Sequence, residues 1–512
     1  MTYPYENFYE MISENAQKQA KKTSLFIEDK KVSHLEFLQE VDSFARFLSH
    51  SGMKEDDKIA IITPNSEEFL ISFFAISKIG AVVVPINNML KEDEYTYILN
   101  DAEVKMLITA SKFAKETQNL QAGTGVEKTV WIDELPSVSG EHFLFSEAMT
   151  LPPVNDEIKV DKKIDDLAVL IYTSGTTGHP KGAMLSFKNI FSNLYGAQER
   201  FNLNSKDRFI VYLPMFHSFT LSISVLLPIF IGGSMIIIPS VLPFSNIIKQ
   251  TLLKRVTIFL GIPDVYNALV RAKLPWYFLW FNSVRAFVSG GAALSEDTLT
   301  KFNTIFKRAK MLEGYGLSEC APAVAINPVN KQKPLSIGLP LYGYEVKIVD
   351  EEMVEVPTGQ VGELIVKGDC VMLGYWKRPT ATDETIINGW VKTGDLGKVD
   401  EEGYVYIVDR KKDLIISKGI NIYPREIEEV LYLHPSIKAA AVIGIKDENS
   451  GEIPIAYVEL DPDEPALTES AIKIYLKQHL ANFKIPKNVH FLEELPKNAT
   501  GKVLKRILKE NH

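Results

Sequence analysis

Between Tyr172 and Gly182 the chain reads Thr173-Ser174-Gly175-Thr176-Thr177-Gly178-His179-Pro180-Lys181: small hydroxylated residues and glycines, ending in one lysine. Such a stretch offers unpaired N–H and O–H donors, little bulk and one positive charge. That is what wrapping a phosphate chain requires. It follows the apolar run Leu167–Ile171, which reads as a buried strand, so the loop leaves a strand edge. A plain surface turn has much the same composition, and no Gly-Lys-Ser/Thr closes the stretch as in a Walker loop.

Four further segments carry polar groups between glycines. Ser289-Gly290-Gly291-Ala292-Ala293 is nearly devoid of side chain, so a planar ligand can lie against its backbone; a tight strand-to-helix connection reads the same way. In Glu313-Gly314-Tyr315-Gly316-Leu317-Ser318-Glu319, glycines flank an aromatic ring, with a hydroxyl and a carboxylate beyond. Tyr315 could stack on a base, and Glu319 could hold Mg²⁺, which takes one or two carboxylates plus substrate phosphates. The alternative there is a core tyrosine beside a solvated glutamate. Trp390–Asp395 ends in a carboxylate able to accept from ribose hydroxyls, although Thr-Gly-Asp is also an ordinary turn. Near the C-terminus, Pro496–Lys502 places Lys502 after a glycine at the start of an expected helix, in a basic tail that by itself reads as a solvated charge run.

The elements that must position these groups alternate. Lys58–Thr63, Ala81–Pro85, Val104–Thr109, Arg208–Val211, Thr257–Leu260 and Arg285–Ser289 read as strands joined by helical patterns, one from about Ser66 to Gly80. β-branched runs linked by helices indicate an α/β fold with parallel sheets covered on both faces. At Arg410-Lys411-Lys412-Asp413 the texture changes to a charge run. A closing α+β region follows, with helices at Pro424–Leu433 and Glu469–Leu480 and strands at Ala439–Ile445 and Pro454–Leu460. A chain of 512 residues exceeds one hydrophobic core,, and the charge run reads as a hinge between two domains, 1–410 and 411–512.

Composition excludes several classes. A net charge of -9 argues against nucleic acid as a partner,. Two cysteines, Cys320 and Cys370, make no disulfide framework and suit a reducing, cytoplasmic setting,. The first residues, Met1 to Lys22, are polar and mixed in charge, unlike a signal peptide. The uncharged stretch Ser218–Phe244 is broken by Pro228, Gly232-Gly233 and Pro239, which suits a buried helix, a turn and a strand rather than a span of about 20 apolar residues. The segment Leu274–Phe281 is unusually aromatic. Its composition reads as a helix packed into the core, with contact to a bilayer or to a tunnel mouth as the alternative.

Together the motifs resemble the adenylate-forming enzymes, a family that includes acyl-CoA synthetases, luciferases and the adenylation domains of peptide synthetases. The resemblance spans nearly the whole chain, in the family's order and approximate spacing. It implies a large N-terminal domain of parallel sheets sandwiched by helices plus a distorted β-barrel, and a small mobile C-terminal domain. It further implies that Thr173, Ser174, Gly175, Thr176, Thr177, Gly178 and Lys181 wrap the β- and γ-phosphates of ATP, and that Tyr315 stacks on adenine. Gly291 and Ala292 would line the adenine pocket beside Gly314, Gly316 and Ser318, and Asp395 and Arg410 would hold the ribose. Thr173 and Glu319 would position Mg²⁺, and Lys502 would bridge the acid's carboxylate and the α-phosphate. Lys412 would be the hinge residue, and Ser417-Lys418-Gly419 would meet the pantetheine arm of CoA. The sequence departs from the common pattern at His179 and Phe187, where lysine and histidine are usual, and at Leu335 and Lys418, where glycine is usual.

The implied reaction activates a carboxylic acid to acyl-AMP and then to acyl-CoA, releasing pyrophosphate and AMP. Leu213-Pro214-Met215-Phe216-His217-Ser218-Phe219 lacks the aspartate with which amino-acid-activating relatives bind an amine, and burying an ammonium without a counter-charge is costly. His217 either gates the carboxylate or fills the pocket wall. The general resemblance points to bacterial fatty acyl-CoA synthetases and a medium- or long-chain acid. An aryl acid of the coumarate type, a carrier-protein thiol as acceptor, and a non-catalytic sensor are the competing readings. Acyl chain length and oligomeric state stay open.

Overall fold

The computed structural model describes residues 3–137, 140–150, 158, 160–173, 179–272, 274–447, 450–462, 464–498 and 501–512. The β-branched runs become two mainly parallel sheets. In an eight-stranded sheet, Lys58–Ile62, Val82–Pro85, Val104–Thr109, Lys128–Trp131 and Leu167–Thr173 run parallel. Lys181–Ser186 then turns back antiparallel beside Leu167–Thr173. A nine-stranded sheet carries Thr23–Ile27, Ser234–Ile237, Arg208–Val211, Ile258–Gly261, Ala286–Ser289 and Lys310–Gly316 in parallel.

Helices Glu67–Lys78 and Phe187–Phe201 are buried around most of their circumference, in one core with residues of both sheets. A helix caught between two sheets has no solvent face to keep polar. Each starts where its sequence caps it. The Ser66 side chain accepts from the Phe69 N–H, and Ser186 and Asn189 form a reciprocal box at the second helix,. Phe187, the histidine departure, is fully buried with its ring 4.9 Å from that of Phe8, so the site demands an apolar ring. The uncharged stretch after Ser218 forms the buried π-helical turns Thr220–Leu226, a short helix Leu227–Phe230 and the strand Ser234–Ile237. Among the described residues no helix is long and apolar enough to cross a membrane.

A five-stranded antiparallel sheet follows, including Glu345–Val349, Gly362–Lys367, Trp390–Val399 and Val405–Arg410. It is a half-barrel. The C-terminal region has its own five-stranded sheet, with Ile437–Asp447 paired to Gly451–Leu460, and a separate core around Ile427, Leu431, Val442 and Leu476.

Two local expectations fail. Lys502 does not open a helix: the final helix is Lys505–Glu510, and Lys502 sits in the turn before it, where Lys497 pairs with Val503. The glycine at 501, with φ +73°, takes a left-handed conformation that a helix cannot use,. The aromatic segment is not packed into the core. It forms the helix Trp276–Phe281, of which only Phe278 is buried, while Trp276 and Trp280 are 68 % exposed and Phe281 71 %.

Candidate active site

Several of the groups singled out in the sequence, Tyr315, Asp395, Arg410 and Lys502 among them, gather where the half-barrel meets the C-terminal region. Tyr315 ends the strand Lys310–Gly316, and its hydroxyl donates to the buried carboxylate of Asp395. Asp395 lies on Trp390–Val399 in register with Arg410 on Val405–Arg410. The Arg410 Nε stands 3.4 Å from the second Asp395 oxygen. Strand register thus lines up the carboxylate and the guanidinium, and the tertiary fold brings the aromatic ring to them from the other sheet. The glycine after Tyr315 is required by space: a Cβ at Gly316 would fall 2.1 Å from the Pro322 carbonyl oxygen. Gly291 and Ala292 are exposed on the turn after Ala286–Ser289, Gly291 at φ +81°. Gly314 pairs with Ile326 on the neighbouring strand.

A second cluster surrounds Glu319. Its carboxylate accepts from the Tyr375 hydroxyl at 2.8 Å, and the Lys181 ammonium lies 5.2 Å from the centre of the Tyr375 ring. Ser318 shares a hydrogen bond with Ser218 at 2.9 Å, which ties the Glu319 turn to the His217 segment. Thr173 sits opposite Lys181 in the hairpin, so the two ends of the hydroxyl-rich loop are fixed by strand pairing. Ser174, Gly175, Thr176, Thr177 and Gly178 lie outside the described residues. His179 stacks on Tyr97 with ring centres 4.4 Å apart. Tyr97 accepts from Arg378 at 3.1 Å, so a guanidinium stands close to the position where a lysine is usual.

Lys502 faces the first cluster. Burial pushes its ammonium down to about 7, Arg410 and Lys412 add repulsion, and Asp395 opposes them. A lysine this poised gains most from an arriving anion. The turn that carries it rests on the large portion of the chain: Lys497 pairs with Asp264 at 2.9 Å, and Gly501 is seated against Ile262 and Asp264. A second ion pair, Arg271 with Asp461, ties the same two regions.

His217 is held neutral, its imidazole pushed down to about 4 by burial, and its Nδ1 accepts from the Phe219 N–H at 3.3 Å. Phe219 packs against Gly290, where a Cβ would come within 3.0 Å of the ring. The segment around His217 carries no charge: Phe216, Leu221 and Ile223 are buried along it, and so are Ser218, Thr220 and Ser222.

Not every expected residue joins the cluster. Ser417, Lys418 and Gly419 form a hairpin tip whose described hydrogen bonds stay in its own sheet, Lys418 N–H to the Ser450 carbonyl at 2.8 Å. Lys412 lies in a 3₁₀ turn, Lys411–Asp413, directly between the half-barrel and the C-terminal sheet. Two departures from the family pattern fall at left-handed positions, Leu335 at φ +64° and Lys418 at φ +50°. Leu335 is held there by its N–H, which donates to Glu313 at 3.0 Å, and Glu313 is itself a buried carboxyl pushed up to about 7. Sequence reasoning missed Tyr375, Asp264 and Ile262. Gly374-Tyr375-Trp376 carries a visible aromatic pair after a glycine, whereas nothing near Asp264 or Ile262 marks them as contacts of a turn more than two hundred residues away.

Residues 12–376 match the family described as AMP-binding enzyme, and residues 426–502 match its C-terminal domain. The chain is 35% identical to a long-chain-fatty-acid–CoA ligase of Escherichia coli O6:H1, over 91% of this chain and 88% of that protein. It is 34% identical to a feruloyl-CoA synthase of an Amycolatopsis species, over 93% and 92% of the two chains. Its fold matches that of an anthranilate CoA ligase solved with anthranoyl-AMP, with a TM-score of 0.91 and 29% identity over 99% and 97% of the chains.

Proposed function

Because the chain belongs to the AMP-binding enzyme family, and is an AMP-forming acyl-CoA synthetase, we propose that it activates a medium- or long-chain fatty acid through the residues gathered around Asp395. Lys502 facing the Asp395–Arg410 pair is the observation that carries the adenylation part of this reading, and the similarity to a long-chain-fatty-acid–CoA ligase supports the choice of acid. In the adenylation step the acid's carboxylate attacks the α-phosphorus of ATP and pyrophosphate leaves. Two anions approach, and charge builds on the leaving group, so preorganised cations lower the barrier most. Lys502 spans the carboxylate and the α-phosphate. Lys181 and the loop between Thr173 and Lys181 hold the β- and γ-phosphates. Asp395 and Arg410 take the ribose, and Tyr315 stacks on the base against the bare backbone of Gly291 and Ala292.

Thr173 and Glu319 would hold Mg²⁺. Among the described residues no three acidic, histidine or cysteine side chains gather as a metal cage. One carboxylate and one hydroxyl beside the phosphate loop suit a cation that takes most of its ligands from phosphates and water, and it supplies charge neutralisation there.

In the thioester step the thiol of CoA attacks the acyl carbonyl and AMP leaves. Lys502 has no work in that step and occupies space near the acyl phosphate. We place the hinge at Lys412, between domains 1–410 and 411–512. Rotation there withdraws Lys502 and brings Ser417-Lys418-Gly419 to the pantetheine arm. The segment around the neutral His217 and Phe219 holds no charged side chain, which favours an uncharged tail over an amino acid,. A panel of straight-chain acids and cinnamates, read by AMP release with CoA and with holo-carrier protein, tests the reading. Preference for cinnamates would move it to aryl acids, and turnover only with the carrier would replace CoA as acceptor.

A further inference from the structure

The helix Trp276–Phe281 is about 9 Å long and points most of its side chains outward: Trp276, Tyr277, Trp280 and Phe281 are between 47% and 71% exposed. Soluble proteins seldom leave such a group of aromatic rings to water without a partner. Leu253, 63% exposed, ends the helix Phe244–Leu253 that packs on it. The apolar side chains are bordered by cations. Arg308 donates to the Trp280 carbonyl at 2.8 Å and so fixes the turn 306–310 against the aromatic helix. Lys307, Lys249 and Arg255 are exposed on that turn, on the packed helix and just past its end. Neither 244–255 nor 306–310 contains an acidic residue, in a chain whose net charge is -9.

We propose that this helix docks on an anionic lipid bilayer. Tryptophan and tyrosine rings sit at the headgroup level, apolar body inward and polar edge outward. Exposed lysine and arginine beside them are drawn to anionic headgroups. The rest of the molecule, being acidic, is repelled by such a surface, so this patch sets the orientation of approach. That docking gives access to membrane-dissolved acid rests on the fatty-acid reading above. The docking itself rests only on the exposed rings and their basic border.

The test is binding to vesicles of phosphatidylglycerol and phosphatidylcholine, with no acid substrate present, so its result stands apart from the choice of substrate. Binding is expected with the mixed vesicles, weaker with phosphatidylcholine alone and weaker in high salt. Phospholipids brominated in the acyl chains should quench the wild-type tryptophan fluorescence, because two of the five tryptophans are in the patch. The triple variant W276S/W280S/F281S should lose at least about tenfold in vesicle binding, with turnover of an acid supplied free in solution unchanged. Should that variant fold poorly, K249E/K307E should weaken binding, and wild-type quenching remains decisive. Absence of vesicle binding, or no quenching by the brominated lipids, overturns the proposal. So does binding that the substitutions leave intact, or a dimer of this chain that the aromatic substitutions dissolve.

Discussion

Gly501→Ala separates the two half-reactions through one carbon atom. Gly501 has φ +73°, and a Cβ there would stand 2.9 Å from Ile262 Cδ1 and 3.1 Å from Asp264 Oδ2. The left-handed backbone costs an alanine about 1–2 kcal/mol, wherever the C-terminal region sits. On the proposed rotation about Lys412, the contact with Ile262 would exist only in the arrangement that presents Lys502 to Asp395. Its far end can move, at the cost of leaving a rotamer minimum, about 0.5–1.5 kcal/mol. That converts to roughly a 2- to 10-fold slower adenylation, read by single-turnover acyl-AMP formation. Thioester formation from supplied acyl-AMP should fall less. Ile262→Val removes Cδ1 alone, so G501A/I262V should regain most of the adenylation lost in G501A. A double variant no faster than G501A, or equal losses in both half-reactions, would refute the seating of this turn on Ile262.

Lys502→Ala should slow adenylation by roughly 10²–10³ and leave transfer from acyl-AMP to CoA largely intact; rapid-quench measurement of each step decides. Lys412→Pro should keep adenylation within about tenfold, because proline's φ near −65° fits a 3₁₀ turn, while thioester formation falls far more. Near-wild-type rates in both steps would move the hinge elsewhere. His217, with a folded value of about 4, stays neutral across about pH 5.5 to 8, so kcat/KM for the acid should show no inflection from it near 6.5. An inflection there that disappears in His217→Gln would contradict its burial. Lys418→Gly relieves an exposed left-handed lysine and should stabilise the fold by about 0.5 kcal/mol, the strain relieved less the added entropy of the unfolded chain, as read from the denaturation midpoint.

Much of the architecture was legible because its signals are local. Val104–Thr109 and Arg208–Val211 form as read, and Glu67–Lys78 lies within the expected helix, since β-branched runs and a serine cap act over a few residues. The candidate cluster was legible for another reason. Tyr315, Glu319, Asp395 and Lys502 each stand beside glycines or turns that leave a polar group without a local partner. The aromatic helix misled the reading because composition alone does not tell a buried ring from an exposed one. Only the packing of its neighbours leaves Phe278 inside and Trp276, Trp280 and Phe281 outside.

By itself the sequence determined the strand-and-helix order, the glycine-framed groups and the apolar character of the His217 segment. Tertiary structure alone decided which groups share a site. The register of Trp390–Val399 against Val405–Arg410 puts Arg410 beside Asp395. The fold of the half-barrel brings Asp395 to Tyr315, 80 residues away. The seating of the last turn on Ile262 and Asp264 carries Lys502 to them. Contacts across such separations leave no periodicity or spacing in the chain, because they depend on the sum of every packing choice in between.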